Sequence, residues 1–261
     1  VWAHPDRRKT ALAVVYLHGF SASRQETAPL SDEIAQQLGA NLYYPRLNGH
    51  GRSGAAMAEA SVNAWLNDTE EALQIGQRLG ERVLVVATST GATLATWLAT
   101  QPHSDKVLAY ALISPNFAPK DPAAQVLTWP WAEHFVPLLL GAEHQWQPRN
   151  AEQARYWNHR YPVQALLPMM GLVEYVRELP LENIQAPLLV IYSPEDKVVS
   201  PAATEQAFAR FGSPHKQLLA LADTQDDSHH VLAGRVLSPR DTPRVEAAIL
   251  AFVKPLLGAQ P

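Results

Sequence analysis

Short apolar runs rich in β-branched residues alternate along this chain with longer segments in which apolar positions return every three or four residues. The runs predict strands at 13–18, 41–44, 82–87, 107–113, 188–192 and 217–221. Their apolar character is close to continuous, as expected where helices cover both faces of a largely parallel sheet. After Ser61, residues Trp65, Leu66, Thr69, Ala72, Leu73, Gly76 and Leu79 share one helical face, and Asn67, Asp68, Glu70 and Glu71 share the other. That pattern predicts a surface helix packed on the sheet. Segments 29–38, 90–100, 202–211 and 243–256 read the same way.

The alternation stops after Ile113 and resumes only near Pro187. The interval carries Trp129, Pro130, Trp131, Trp146, Trp157, Pro162, Pro168, Met169 and Met170. A structureless loop of that length is exceptional inside a compact domain. Apolar positions at Phe135, Leu138 to Leu140 and Leu166 to Val176 suit short helices instead. The expected organisation is an α/β core formed by 1–116 and 184–261, with 117–183 as an inserted helical lobe. No fixed-period repeat or low-complexity tract is present.

Composition narrows the function. A chain of 261 residues with 47% hydrophobic content can bury one large core. Its net charge of −4, with 21 basic residues scattered and no polybasic block, argues against nucleic acid as a partner. The absence of cysteine excludes a catalytic thiol, a disulfide framework and thiolate zinc sites. No stretch approaches the roughly 20 apolar residues of a membrane span; the run from Val126 to Leu140 is broken by Glu133 and His134. The first residue is Val, and 1–9 lacks an apolar signal core, so an upstream segment is expected to have been removed.

Candidate chemistry gathers at strand ends. In VLVVATSTGATLA, 83–95, an apolar strand runs into a helix with small residues on either side of Ser89. This is the pattern of a nucleophile elbow, in which a sharp strand-to-helix turn lifts a serine hydroxyl above the sheet and positions two residues away must be small. Ala87 stands where glycine is usual, while Gly91 keeps the pattern. A serine here also suits an ordinary helix cap, so other residues must decide.

Earlier in the chain, YLHGFSAS at 16–23 ends a strand in His-Gly and a polar loop. An acyl-transfer oxyanion needs two aimed donors; the expected pair is the backbone N–H of Phe20 and that of Thr90, the residue after the serine. Later, IYSPEDKVVS at 191–200 sets Asp196 one short turn after a strand, with Glu195 as the alternative carboxylate. DDSHHVLAG at 226–234 supplies His230, which precedes the apolar pair Val231 and Leu232, with His229 as its solvent-side neighbour. The cluster of Asp226, Asp227, His229 and His230 leaves a metal site as an alternative, although no H-x-x-x-H pattern accompanies it. His4, His50, His103, His134, His144, His159 and His215 have no matched acid and read as structural or surface residues. The order Ser89, Asp196, His230 is the triad order of α/β-hydrolases.

At HGF (18–20), RLNGHGRS (46–53), the serine elbow, SPEDKVV (193–199) and HVLAG (230–234), the chain resembles the α/β-hydrolase superfamily, and within it bacterial carboxylesterases and monoacylglycerol-lipase-like hydrolases. The resemblance implies an α/β-hydrolase fold whose lobe is a cap. It implies a serine hydrolase of short- to medium-chain acyl esters or monoacylglycerols, with Ser89 as nucleophile, His230 as base and Asp196 orienting it. No cofactor is expected. Asn116, Trp129, Trp131, Val198 and Val231 are the candidate substrate contacts, although the two tryptophans suit the core of the lobe better than the pocket. Thioesterase, acyltransferase or amidase chemistry on the same triad remains open, as does a non-catalytic binding protein. The expected location is the bacterial cytoplasm, with export or anchoring if an N-terminal segment has been lost.

Overall fold

The computed structural model describes residues 1–258. Strands β1 (Thr10–Leu17), β2 (Asn41–Tyr43), β3 (Gly80–Thr88) and β4 (Val107–Ile113) precede the lobe. The lobe carries the short strands β5 (Glu143–Gln145) and β6 (Arg160–Pro162), and β7 (Leu188–Tyr192) and β8 (Lys216–Ala220) follow. Six of these form one sheet in the order β2-β1-β3-β4-β7-β8, and every neighbouring pair is parallel. Each of the six matches an expected strand.

Helices cover both faces, which is why the inner strands β1, β3, β4 and β7 are largely apolar and buried, while the edge strand β8, KQLLA, is not. Val15, Leu17, Val85, Ala87, Leu112 and Val190 point to one side, against α2 (Val62–Leu79) and α3 (Thr90–Ala99). Val14, Tyr16, Leu84, Val86, Ala111 and Ile191 point to the other, against α1 (Leu30–Gln37) and α8 (Thr242–Gly258). The Ser61 hydroxyl caps α2 by accepting from Ala64 N–H at 3.2 Å. Within the lobe, α4 (Ala132–Leu140) and α5 (Ala151–Tyr156) precede α6 (Leu166–Glu178), and α7 (Pro201–Arg210) follows β7.

Apolar packing holds the lobe both to the core and within itself. Leu172 and Val176 of α6 join the core on the α3 side of the sheet. Leu127, Ala132, Val136, Val163 and Met170 form a small interior of its own. Trp157 packs with Val231 and Leu237 from the segment that carries His230.

Two features of the lobe depart from expectation. The β5–β6 ribbon was not foreseen, because its strands, EHQ and RYP, show no apolar alternation; an Arg160–Glu143 ion pair ties it together. Trp129 and Trp131 lie outside the lobe interior, 59% and 66% exposed. Trp131 takes a left-handed conformation (φ 64°) where it opens α4, and this turns its ring outward with the exposed Leu138 to Leu140.

Glycine is required where α3 crosses β1. A methyl on Gly91 would lie 2.2 Å from the Leu17 carbonyl oxygen and 2.6 Å from that of His18, both rigid backbone. The Ala87 methyl instead fills the apolar cluster on the α3 side, so the departure from glycine there creates no clash. Gly91→Ala should therefore cost about 3 kcal/mol of unfolding free energy, and Ala87→Gly about 1 kcal/mol; urea titrations of both variants check the asymmetry.

Candidate active site

Loops leaving the carboxyl ends of β1, β3, β4 and β7 converge on Ser89. Its backbone sits at φ 52°, ψ −119°, a region that ordinary residues avoid. The turn is held because Ser89 N–H donates to the Ile113 carbonyl at 2.9 Å and Asn116 N–H donates to the Ser89 carbonyl at 3.2 Å. Although Ser89 occupies the N-cap of α3, its hydroxyl makes no capping bond. It lies 3.0 Å from His230 Nε2 instead. The ordinary-cap reading fails on that distance.

His230 Nδ1 lies 2.8 Å from Asp196 Oδ2. The carboxylate needs a donor, which places the imidazole proton on Nδ1 and leaves Nε2 free to accept from the serine. Asp196 is itself buried, and its Oδ1 accepts from Val198 N–H at 2.8 Å and Val199 N–H at 2.9 Å. Glu195 is turned away toward His229, 3.7 Å distant, whose Nδ1 also meets Thr224 Oγ1 at 2.8 Å.

The His230 backbone is fixed from two sides. Ser114 Oγ donates to its carbonyl at 2.7 Å. The buried Asp226 Oδ2 accepts from His230 N–H at 3.1 Å, Val231 N–H at 3.0 Å and the Ser228 hydroxyl. Arg149, from the lobe, pairs with the other oxygen of Asp226 and with Asp227. Asp226 is thus occupied as a loop organiser, and the described residues contain no group of three or more His, Asp or Glu side chains placed to hold a metal.

Across from the histidine, the 18–21 loop is locked on either side of one amide. Gly19 N–H donates to Glu26 Oε2 at 2.8 Å, and Ser21 N–H donates to His50 Nε2 at 3.0 Å. Leu47 N–H donates to His18 Nε2 at 3.2 Å, so His18 Nδ1 gives its proton to the Gly19 carbonyl at 2.9 Å. Among the described residues, the N–H groups of Phe20 and Thr90 have no partner. Thr90 N–H also belongs to the first turn of α3, where the helix dipole favours negative charge.

A cavity of about 520 Å³ opens over Ser89. Phe20, Trp157, Tyr161, Leu166, Met169 and Val231 give it apolar walls, and Gln147, Arg149, Gln153 and Ser228 line a polar stretch. Asn116 and Thr90 line it, and their side-chain oxygens, Oδ1 and Oγ1, are buried without a hydrogen-bond partner among the described residues.

A family model described as serine aminopeptidase, S33, matches residues 8–225. The chain belongs to this α/β-hydrolase family. A thermostable monoacylglycerol lipase of a Bacillus species is 26% identical over 220 residues, 84% of this chain and 83% of that protein. Among solved structures, one described with LipS and LipT, two metagenome-derived lipolytic enzymes, superposes with a TM-score of 0.79 at 24% identity, covering 95% of each chain. The monoacylglycerol lipase of Paleococcus ferrophilus gives 0.69 at 19% identity over 94% of this chain and 93% of its own. A soluble variant of monoglyceride lipase from Saccharomyces cerevisiae gives 0.77 at 13% identity over 95% and 88%. At these identities the structural likeness speaks for the fold.

In this hydrolase, Asn116, Val198 and Val231 line the cavity, whereas Trp129 and Trp131 do not. Trp146 and Trp157 stand in the wall instead, as does His144. The tryptophans at 129 and 131 were expected on residue type alone, and residue type does not say which turn of the lobe faces Ser89. Glu26, His18 and His50 were missed as site residues. A signal did exist: polar residues that bracket an HGF loop and the following glycine-rich loop must spend their bonds on those loops.

The electrostatics divide the histidines. Burial, with Arg46 adding repulsion, lowers His18 to about 4. Burial and the neighbouring His18 lower His50 to about 3. Both are neutral braces at physiological pH. For His230, burial opposes the charged form, but Asp196, Glu26 and Asp226 outweigh it and lift the imidazole above 6.5. No helix among the described residues is long and apolar enough to cross a membrane. An NMR titration of the His230 ring should give a midpoint above 6.5, and Asp196→Asn should lower it by at least about one unit, because a neutral amide no longer stabilises the imidazolium.

Proposed function

We propose that this α/β-hydrolase is a serine hydrolase of carboxylic esters, acting on short- to medium-chain acyl esters with monoacylglycerols among them. The observation that carries the reading is the Ser89 hydroxyl, 3.0 Å from an imidazole nitrogen and next to two unpartnered amides. In the reaction, His230 Nε2 accepts the Ser89 proton as Oγ attacks the ester carbonyl. The carbonyl oxygen becomes an oxyanion held by Phe20 and Thr90 N–H. As the tetrahedral intermediate collapses, the C–O bond to the alcohol breaks and His230 returns the proton to the departing oxygen. Water, deprotonated by the same imidazole, then attacks the acyl-enzyme, releasing the acid and restoring Ser89. Asp196 holds the productive tautomer throughout and stabilises the imidazolium that forms twice per turnover.

Residues 117–183 act as the cap of this site, since Trp146, Trp157, Tyr161, Leu166 and Met169 roof the cavity. The volume of about 520 Å³ suits an acyl chain of modest length together with a small alcohol. Asn116 Oδ1 and Thr90 Oγ1 favour an alcohol that keeps free hydroxyl groups, as a monoacylglycerol does. The lipase name of the Bacillus relative points the same way.

Ser89→Ala should lower turnover of a chromogenic short-chain ester by about a millionfold; more than a few per cent residual activity in a pure preparation would refute the assignment. Asn116→Leu should reduce the preference for a monoacylglycerol over the alkyl ester of the same acid by about tenfold. Measuring kcat/KM for the matched pair decides this, and an unchanged ratio would remove the hydroxyl-recognition role.

A further inference from the structure

Glu26 is buried against the oxyanion loop, yet proton transfer at Ser89 does not require it. Its Oε2 accepts two bonds, from Gly19 N–H at 2.8 Å and from the Tyr16 hydroxyl at 3.0 Å. Tyr16 is braced in turn by Thr88 Oγ1 at 3.3 Å, one residue before the nucleophile. Its Oε1 has no hydrogen-bond partner among the described residues and crowds the loop. A methyl built on Gly19 would lie 2.6 Å from that oxygen and 3.2 Å from Ser89 Cβ. Gly19 is therefore sandwiched between the Glu26 carboxyl and the nucleophile, and Glu26 lines the same cavity.

That placement has two consequences. The Gly19 N–H bond fixes the peptide that precedes Phe20 N–H. A residue with only an apolar side chain at 26 would leave Gly19 N–H buried and unsatisfied, free to pull the loop toward another acceptor. The carboxyl group also shares the cavity with His230, separated from Ser89 by Gly19. The charged groups around that imidazole are Asp196 from the loop after β7, Asp226 from its own loop with Arg149 paired to it, and Glu26 from the loop after β1. Glu26 is the one of the three carboxylates whose hydrogen bonds go to the oxyanion loop.

We infer that Glu26 is a positioning residue that holds the Gly19–Phe20 peptide in its oxyanion-binding orientation and sets its carboxyl group on the same cavity wall as the His230 imidazole. The inference rests on the roles given above to Phe20, Ser89 and His230. It assigns one side chain to both halves of the site: the oxyanion donor and the base. Burial pushes Glu26 itself up from the ordinary carboxylate range, while its two donors and His230 favour the ionised form. The sign for the base follows: removing the charge makes His230 less basic, so the neutral imidazole persists to lower pH.

Two variants separate the effects. Glu26→Gln keeps an acceptor for Gly19 N–H and the Tyr16 hydroxyl but removes the charge, whereas Glu26→Ala removes both. Glu26→Ala should lower plateau kcat by about a hundredfold with KM changed less than about threefold. Glu26→Gln should restore kcat to within about tenfold of wild type and move the acid limb of kcat/KM down by about half to one unit. The His230 ring midpoint, followed by NMR, should move with it. Wild-type kcat in Glu26→Ala, or an unmoved imidazole midpoint in Glu26→Gln, overturns the inference. Should Glu26→Ala fail to fold, the Glu26→Gln midpoint decides alone. If the ester-hydrolase reading is the part at fault, the wild-type protein will neither turn over esters nor react with a fluorophosphonate, while the imidazole midpoint still reports on Glu26.

Discussion

The backbone at Ser89 is the constraint on which the rest of the site depends. At φ 52° and ψ −119° the residue is strained by something on the order of 1–3 kcal/mol, and only its surroundings keep it there. Those surroundings are the parallel register of β3 with β4, the bond from Ser89 N–H to Ile113, and the close passage of α3 over β1 at Gly91. In return, the hydroxyl is released from helix capping and set against an imidazole, and the following N–H opens toward the same space. A relaxed turn would point the oxygen along α3, and the histidine loop would have nothing to meet.

Around that turn the protein separates histidines by environment. His18 and His50 sit where burial and the nearby Arg46 keep them neutral, with His18 adding to the effect on His50, so each can accept from one loop amide and donate to one carbonyl. His230 sits where carboxylates gather, so its protonated form is stabilised. The same residue type is therefore held neutral in one place and made more basic in the other. Asp226 carries a third task, tying the His230 loop to the lobe through Arg149. The lobe and the His230 loop are thereby linked by an ion pair with one partner fully buried.

The core was legible because its strands are apolar on both faces and its helices keep one clean stripe; β4 and β7 have the boundaries that the apolar runs mark. Ser89 and Asp196 stood out because each closely follows a strand and His230 because it precedes the apolar pair Val231 and Leu232, and the structure brings the three together. What stayed hidden depends on contacts between segments. The β5–β6 ribbon has three residues per strand and no alternation. Trp129 and Trp131 look like interior or pocket residues, yet both are largely exposed. Glu26 looks like an acid in a short helical turn, because Gly19 and Tyr16 meet it only once the loop after β1 folds back.

The most direct measurement is a crystal structure of the protein after reaction with a small alkyl fluorophosphonate. The account predicts phosphorus bonded to Ser89 Oγ, with the phosphonyl oxygen within about 3 Å of both the Phe20 and Thr90 amide nitrogens. No adduct on Ser89, or an adduct whose oxygen faces neither amide, would contradict it.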